Sequence, residues 1–258
     1  MPVAANLHYF LHEGGTVTKP AIVLIHGEAG DHLSWPSGLR RLPGLRTYAL
    51  DLPGHGKSEG PGLQSISDYS ASVLEFLNAA GLSNPVIVGH GMGGAIAMRL
   101  ASEHADRICG IVLVATGARL PIASAMLENA ANPSTFLLAL QALHAACICS
   151  QTDEDLQEWI LKRLSATRPT LLYGDLQACD VFDMSDQLGS IRKPVLVVCG
   201  TEDRLTPLRY SENLAGSIPG AALQTIDGSG HMVMLEQPRR LAGLLNVFVA
   251  GIPYRAGM

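Results

Sequence analysis

Two residues far apart in the chain have the types and settings needed for acyl chemistry. Asp203 lies in GTEDRLTP and His231 lies in DGSGHMVM, and each segment follows an apolar run. A histidine whose second ring nitrogen is held by a carboxylate can take a proton from a nucleophile and return it to a leaving group. Such chemistry needs a nucleophile, so the segment that would supply one decides the interpretation.

The stretch VIVGHGMGG, residues 86–94, combines an apolar strand, a glycine-rich turn and the start of a helix. This is the pattern of the nucleophile elbow G-x-S-x-G, with Gly89 and Gly93 at its outer positions. The middle position should hold Ser, Cys or Asp, but it holds Gly91. Three other serines lie on no elbow, so none of them is expected to replace the missing nucleophile: Ser34, Ser58 and Ser229.

The chain resembles the α/β-hydrolase superfamily along nearly its whole length. Five segments match in order: LIHGEAGDHLSW, LDLPGHGKSEG, GHGMGG, VLVVCGTEDRLTP and IDGSGHMVMLEQP. Gly91, Asp203 and His231 then stand in the superfamily order of nucleophile, acid and base. The resemblance implies that His231 is the general base and that Asp203 orients it. Glu202 and Asp227 are the competing carboxylates, and the motif favours Asp203.

The same resemblance implies an oxyanion hole built from the backbone N–H groups of Glu28 and Met92. Glu28 is unusual, because relatives mostly carry an apolar or amide side chain at this position. A carboxylate beside the hole would oppose a developing oxyanion. We therefore expect the Glu28 side chain to be solvated and to contribute only its N–H. His55 and Ser58 are expected to be structural, and His90 to assist packing.

Short apolar runs between turn signals predict parallel strands that are buried on both faces. They are AIVLI (21–25), TYAL (47–50), VIV (86–88), IVLVA (111–115), VLVVC (195–199) and the less apolar LQTI (223–226). Helical segments alternate with these runs, among them DYSASVLEFLNAAG, with Asp68 as its N-cap and Gly81 at its end. This alternation predicts an α/β protein with a doubly wound, mostly parallel sheet.

One interval interrupts the alternation, because residues 118–186 read as helices. We predict a hydrolase core of residues 1–117 and 187–258, with a helical cap of residues 118–186 over the carboxyl edge of the sheet. Extra packing helices elsewhere on the surface are the alternative. The apolar cap residues could line an acyl pocket or form the cap's own core, which is the preferred interpretation: Met126, Leu127, Phe136, Leu137, Leu140, Trp159 and Leu164. The candidate substrate contacts are Gly27, Met126, Trp159 and Met232.

Composition excludes several classes of partner. The 258 residues are 47% apolar, enough for one large core, and the net charge of -5 attracts neither nucleic acid nor an anionic membrane. We see no signal peptide and no apolar stretch long enough to span a membrane. Five cysteines without a C-x-x-C pair are expected to be buried and reduced, which suits the cytoplasm. No spacing typical of metal ligands appears among the nine histidines, so we expect neither a metal nor a cofactor. The sequence contains no pattern that indicates an oligomeric state.

Gly91 admits three explanations: engineered or recent loss of a serine, a native binding protein, or attack by a water that His231 activates. The intact partner motifs favour the first. We predict a carboxylesterase-type α/β-hydrolase whose partner is a small, mostly apolar acyl ester. It would use Ser-Asp-His chemistry and be nearly inactive with glycine at residue 91. The alternatives are a catalytically dead, small-ligand-binding member of the fold and a lactone, amide or C–C bond hydrolase.

Overall fold

The computed structural model describes residues 2–14 and 19–253. Within them, one sheet of eight strands has the order β1-β2-β4-β3-β5-β6-β7-β8. The strands are β1 Val3–Ala4, β2 Leu7–Glu13, β3 Ile22–Ile25, β4 Arg46–Leu50, β5 Val86–His90, β6 Gly110–Val114, β7 Val195–Gly200 and β8 Ala222–Ile226. Strand β2 pairs antiparallel with β1 and with β4, and all other neighbouring strands pair parallel. The predicted mostly parallel sheet is confirmed, whereas β1 and β2 were not predicted.

Ten α-helices connect or cover the strands in the described residues. They are α1 Ser37–Arg40, α2 Ile66–Ala79, α3 Met92–Glu103, α4 Ser124–Ala131, α5 Phe136–Cys147, α6 Glu154–Ser165, α7 Pro169–Asp180, α8 Leu208–Ser217, α9 Val233–Glu236 and α10 Pro238–Gly251. Helices α2, α3 and α8 pack on one face of the sheet, and α1 and α10 pack on the other. The central strands β3, β6 and β7 are apolar and buried along their whole length because both faces of the sheet are covered there.

The start of α2 differs from the prediction. The helix begins at Ile66, and its N-cap is Ser65, whose hydroxyl oxygen accepts a hydrogen bond of 3.1 Å from the Asp68 N–H. Asp68 lies inside the first turn, where its carboxylate accepts a bond of 2.7 Å from the Ser65 hydroxyl. The prediction of Asp68 as the cap was wrong because either side chain suits a helix start, and Ser65 stands earlier.

Four helices, α4 to α7, lie between β6 and β7. They enclose an apolar cluster of their own: Ala130, Ala139, Leu140, Leu143, Cys147, Leu172 and Leu176. Met126, Leu127, Phe136 and Leu164 pack against this cluster, while Leu137 and Trp159 are 59% and 37% exposed. The domain limits at residues 118 and 186 stay a prediction.

All five cysteines are free thiols. Four are buried as expected, but Cys109 is partly exposed, since it lies just before β6 rather than inside the core. In the described residues, none of the helices has both the length and the apolar character required to cross a bilayer.

A methyl group at residue 93 is expected to destabilise the fold. An added Cβ would overlap the backbone carbonyl of Ile25 and lie 2.6 Å from the carbonyl oxygen of His26, where α3 crosses β3. Gly93→Ala should therefore lower the free energy of unfolding by about 1–3 kcal/mol or more, measured by thermal or urea unfolding. Gly243→Ala is the matched control: it lies in α10 with no atom within 4 Å of the added Cβ, and it should be neutral or stabilising by up to about 1 kcal/mol. Equal effects of the two substitutions would contradict this prediction.

Candidate functional site

Residue 91 occupies a turn between β5 and α3 with a backbone conformation that is costly for most residues. Gly91 has φ 51° and ψ -117°. The turn is fixed on both sides, because the Gly91 N–H donates to the Val114 carbonyl at 3.1 Å and the Thr116 hydroxyl donates to the Gly91 carbonyl at 2.8 Å. A side chain placed here would project from the carboxyl end of β5 toward the cleft. The turn thus has the form of a nucleophile elbow.

His231 and Asp203 lie in hydrogen-bonding contact. His231 Nδ1 and Asp203 Oδ2 are 3.0 Å apart, and both residues are almost completely buried. Asp203 also accepts bonds from the N–H groups of Leu205 and Thr206 and from the Thr206 hydroxyl, at 2.9, 2.8 and 2.7 Å. These donors leave the carboxylate little freedom, so it holds the imidazole in one orientation.

The two competing carboxylates, Glu202 and Asp227, do not contact His231. Glu202 accepts a bond of 2.9 Å from the Ser150 hydroxyl, and Asp227 lies in the exposed turn after β8. The geometry therefore brings Asp203, rather than either of these, to His231.

The ionisation of the pair follows from its contacts. Burial alone would raise the pKa of Asp203, but the facing His231 and the donated hydrogen bonds lower it. Burial likewise opposes a charged His231, yet the Asp203 carboxylate and its hydrogen bond, with help from Glu28, raise the pKa of that imidazole. The pair therefore favours a carboxylate beside an imidazole that readily takes a proton.

The other ring nitrogen of His231 faces residue 91. Nε2 is buried and has no hydrogen-bond partner within the described part of the chain. It lies 3.4 Å from the point where a Cβ of residue 91 would stand. His90 supports this loop, because its Nε2 donates to the His231 carbonyl at 3.1 Å. The imidazole is thus aimed at the atom position from which a nucleophile would extend.

Glu28 does not behave as the sequence suggested. Its side chain is half-buried and points into the site, where Oε2 accepts a long hydrogen bond of 3.5 Å from the Met92 N–H. The same oxygen lies 3.0 Å from the Cβ position of residue 91. The expectation of a solvated side chain was wrong, because the missing side chain at residue 91 leaves room for the carboxylate and the Met92 N–H gives it a donor.

Two cavities meet at Glu28 and His231, which line both. The first lies under α5 and α6 and is lined by Gly27, Trp159 and Met232 among others. The second lies on the side of Gly91 and Met92. Of the predicted substrate contacts, Met126 is the exception: it packs against the apolar cluster that α4 to α7 enclose. The second cavity also has apolar walls that the sequence did not indicate: Leu120, Ile122, Leu205 and Tyr210.

Asp175, a residue that the sequence analysis did not single out, joins helix α7 to the loop after β3. This completely buried residue of α7 accepts bonds from the Ala29 N–H at 2.9 Å, the Tyr69 hydroxyl at 2.7 Å and His55 Nε2 at 2.8 Å. Burial opposes a charged His55, but the Asp175 carboxylate raises the pKa of that imidazole. A carboxylate within the apolar sequence LLYGDLQAC was the available signal, since a buried charge must be paired.

Asp175→Asn is expected to destabilise the protein by about 3–5 kcal/mol, because it leaves His55 buried without its counter-charge. The measurement is the free energy of unfolding in urea. Asp180→Asn is the control on the same helix: Asp180 is exposed and accepts one bond, from the Ile122 N–H at 2.9 Å. A loss for Asp175→Asn no larger than that of the control would contradict the structural role of the buried pair.

One cluster in the described residues has the composition of a metal site. His8, His32 and Asp51 are buried, and their ligand atoms lie within 4.8 Å of one another. Hydrogen bonds account for the arrangement, because the carboxylate accepts from the two Nδ1 atoms at 2.7 and 2.8 Å and from the N–H groups of His32 and Lys57. Ser58 closes the same loop by donating to the Asp51 carbonyl at 2.6 Å.

Comparison with known proteins places these features in context. The sequence model of a family described as alpha/beta hydrolase fold matches residues 20–238. A pimeloyl-[acyl-carrier protein] methyl ester esterase of Aromatoleum aromaticum is 29% identical, over 91% of this chain and 100% of that protein. A 2-hydroxymuconate semialdehyde hydrolase of Pseudomonas putida is 31% identical, over 96% and 92%. The crystal structure of a hydrolase from Pseudomonas aeruginosa PA01 superimposes with a TM-score of 0.85 at 26% identity, covering 95% of this chain and 94% of that one.

Proposed function

The chain belongs to the alpha/beta hydrolase fold family, and on that basis we propose that it carries the site of a carboxylesterase for small, mostly apolar acyl esters, with glycine in place of the nucleophile. In this site His231 is the base and then the acid, and Asp203 orients it. The Met92 N–H, with that of Glu28, receives the oxyanion. A serine at residue 91 would supply the attacking oxygen.

One observation carries the proposal. His231 Nε2 is buried, unpaired within the described residues and 3.4 Å from the Cβ position of residue 91. A hydroxyl one bond beyond that Cβ lies within reach of the imidazole, and the Asp203 carboxylate already fixes the ring. A base, its orienting acid and an elbow in this relation are the requirements for nucleophilic acyl transfer.

The walls of the site support a small apolar substrate. Leu143, Trp159 and Met232 line the first cavity, and Arg163, a cation in the same wall, is paired with Asp31. The two cavities extend from His231 in different directions, which suits the acyl and alcohol parts of an ester. One relative is a methyl ester esterase by name, which supports the choice of an ester.

The test compares the native chain with Gly91→Ser on a series of p-nitrophenyl esters from short to medium acyl length. Triad enzymes that lack their serine lose about 10⁶-fold in kcat, so the native chain should be nearly inert. The serine variant should turn over at least about a thousandfold faster, with a preference for chains that fit the apolar cavities.

Gly91→Ala is the matched control, because it adds the Cβ but no nucleophile. If the serine variant is folded and as inert as the alanine variant on every ester, the esterase proposal is wrong. The catalytically dead, ligand-binding alternative then takes its place.

A further inference from the structure

The Glu28 carboxylate stands where the reacting atoms of a substrate would lie. Oε2 is 3.0 Å from the Cβ position of residue 91, and His231 Nε2 is 3.4 Å from the same point. Both side chains line both cavities. The native chain therefore presents a carboxylate and an imidazole nitrogen to one small volume, although the serine of the hydrolase pathway is missing.

The surroundings leave the carboxylate free to act as a base. Within the described residues the carboxylate accepts one hydrogen bond, the 3.5 Å contact from the Met92 N–H, which is at the limit of hydrogen-bonding distance. The neighbouring walls include Leu143 and Met232 on one side and Ile122 and Leu205 on the other. A carboxylate that is weakly held among apolar walls has little competition from other proton donors, so it remains available to a C–H group of a bound substrate.

His231 supplies the complementary acid. Although burial opposes the imidazolium, the carboxylates of Asp203 and Glu28 raise the pKa of His231. Its Nδ1 is engaged by Asp203 at 3.0 Å, so the proton that it can give away is the one on Nε2. Nε2 faces the same volume as Glu28, which places a proton donor opposite a proton acceptor.

We infer that the native chain catalyses proton transfer at carbon on small, mostly apolar carbon acids, with Glu28 as the base and His231 Nε2–H as the acid. Glu28 takes a proton from a C–H that is acidified by a carbonyl group or a leaving group. The C–H electron pair forms a new double bond. In a carbonyl compound the π electrons of the C=O bond move onto its oxygen, and in an elimination the bond to the leaving oxygen breaks and its electron pair stays on that oxygen. His231 gives its Nε2 proton to that oxygen, so an enol or an eliminated hydroxyl forms. Glu28 then loses its proton to solvent and His231 regains one.

The test uses 5-nitrobenzisoxazole, a small planar carbon acid, with the full native chain. A base removes its ring C–H proton, the N–O bond breaks, and the cyanophenolate product is followed by its absorbance. We expect the native chain to accelerate this elimination and Glu28→Gln to reduce the rate by about 10²-fold or more. Glu158→Gln is the matched control: it makes the same change of charge at an exposed residue of α6 and should leave the rate unchanged.

Circular dichroism and thermal unfolding show whether each variant is folded. A folded Glu28→Gln chain that keeps the native rate, or a native chain no faster than buffer, overturns the inference. Gly91→Ser separates this activity from the proposed esterase, because its Cβ would crowd the Glu28 carboxylate. We expect elimination to fall and ester hydrolysis to rise. Hydrolysis in the serine variant without elimination in the native chain refutes this inference alone, and elimination without hydrolysis refutes the esterase alone.

Discussion

The double variant Gly91→Ser, Glu28→Ala is expected to hydrolyse p-nitrophenyl esters about 10⁵–10⁶-fold faster than the native chain. Serine supplies the nucleophile, and we expect at least about 10³-fold from this change alone. The Glu28 carboxylate is the second obstacle, because its Oε2 lies 3.0 Å from the Cβ position of residue 91 and accepts the 3.5 Å hydrogen bond from the Met92 N–H. Its removal frees an oxyanion donor, and such a donor is worth about 10²–10³ in kcat.

The measurement is kcat/KM for both single variants and the double variant. The two changes should be non-additive, because Glu28→Ala alone removes an obstacle from a site that still has no nucleophile. Glu158→Ala, at an exposed residue of α6, controls in the Gly91→Ser background for the loss of one negative charge. The two double variants are compared in the Gly91→Ser background. If the one with Glu28→Ala is no more active than the one with Glu158→Ala, the Glu28 carboxylate does not obstruct the oxyanion hole during hydrolysis.

In the Gly91→Ser background, Asp203→Asn is expected to lower kcat about 10⁴-fold. Asp203 accepts the Nδ1 proton of His231 at 3.0 Å, and the neutral amide would favour the tautomer whose proton lies on Nε2. That tautomer cannot take a proton from the serine. The carboxylate also raises the pKa of His231, so its loss makes the imidazole a weaker base.

The corresponding measurement is single-turnover and steady-state hydrolysis of one p-nitrophenyl ester. Asp227→Asn is the control, because Asp227 is exposed in the turn after β8, and it should leave kcat unchanged. A loss of less than about tenfold for Asp203→Asn would show that another group orients the imidazole.

The strands at the centre of the sheet were predictable because burial on both faces requires uninterrupted apolar residues, as in β3 and β7. Strand β2 was missed for the converse reason: most of its residues are only partly buried, and its sequence LHYFLHE has neither a continuous apolar run nor a clear alternation. The pairing of Asp203 with His231 followed from the order of the motifs, and the geometry agrees with it.

The direction of the Glu28 side chain could not be read from the sequence. It depends on the space beside Gly91 and on a donor, the Met92 N–H, that lies 64 positions further along the chain. Asp175 is a similar case, because its three partners come from segments that are distant in sequence. Local pattern carries information about burial, but the partner of a buried charge is a property of the tertiary structure.

The contacts of helices α6 and α7 with the loop after β3 have a consequence for access to the site. The Asp175 carboxylate holds the Ala29 N–H, the Thr167 hydroxyl donates to the Ala29 carbonyl at 3.3 Å, and Arg163 pairs with Asp31. Residues of α6, of α7 and of the turn between them therefore bind the same short segment that carries Glu28. A movement that lifts these helices must break those bonds or drag the segment with them. Opening of the entrance is therefore mechanically coupled to the geometry of the site: α6 and α7 cannot move far from the sheet while the segment that carries Glu28 keeps its position.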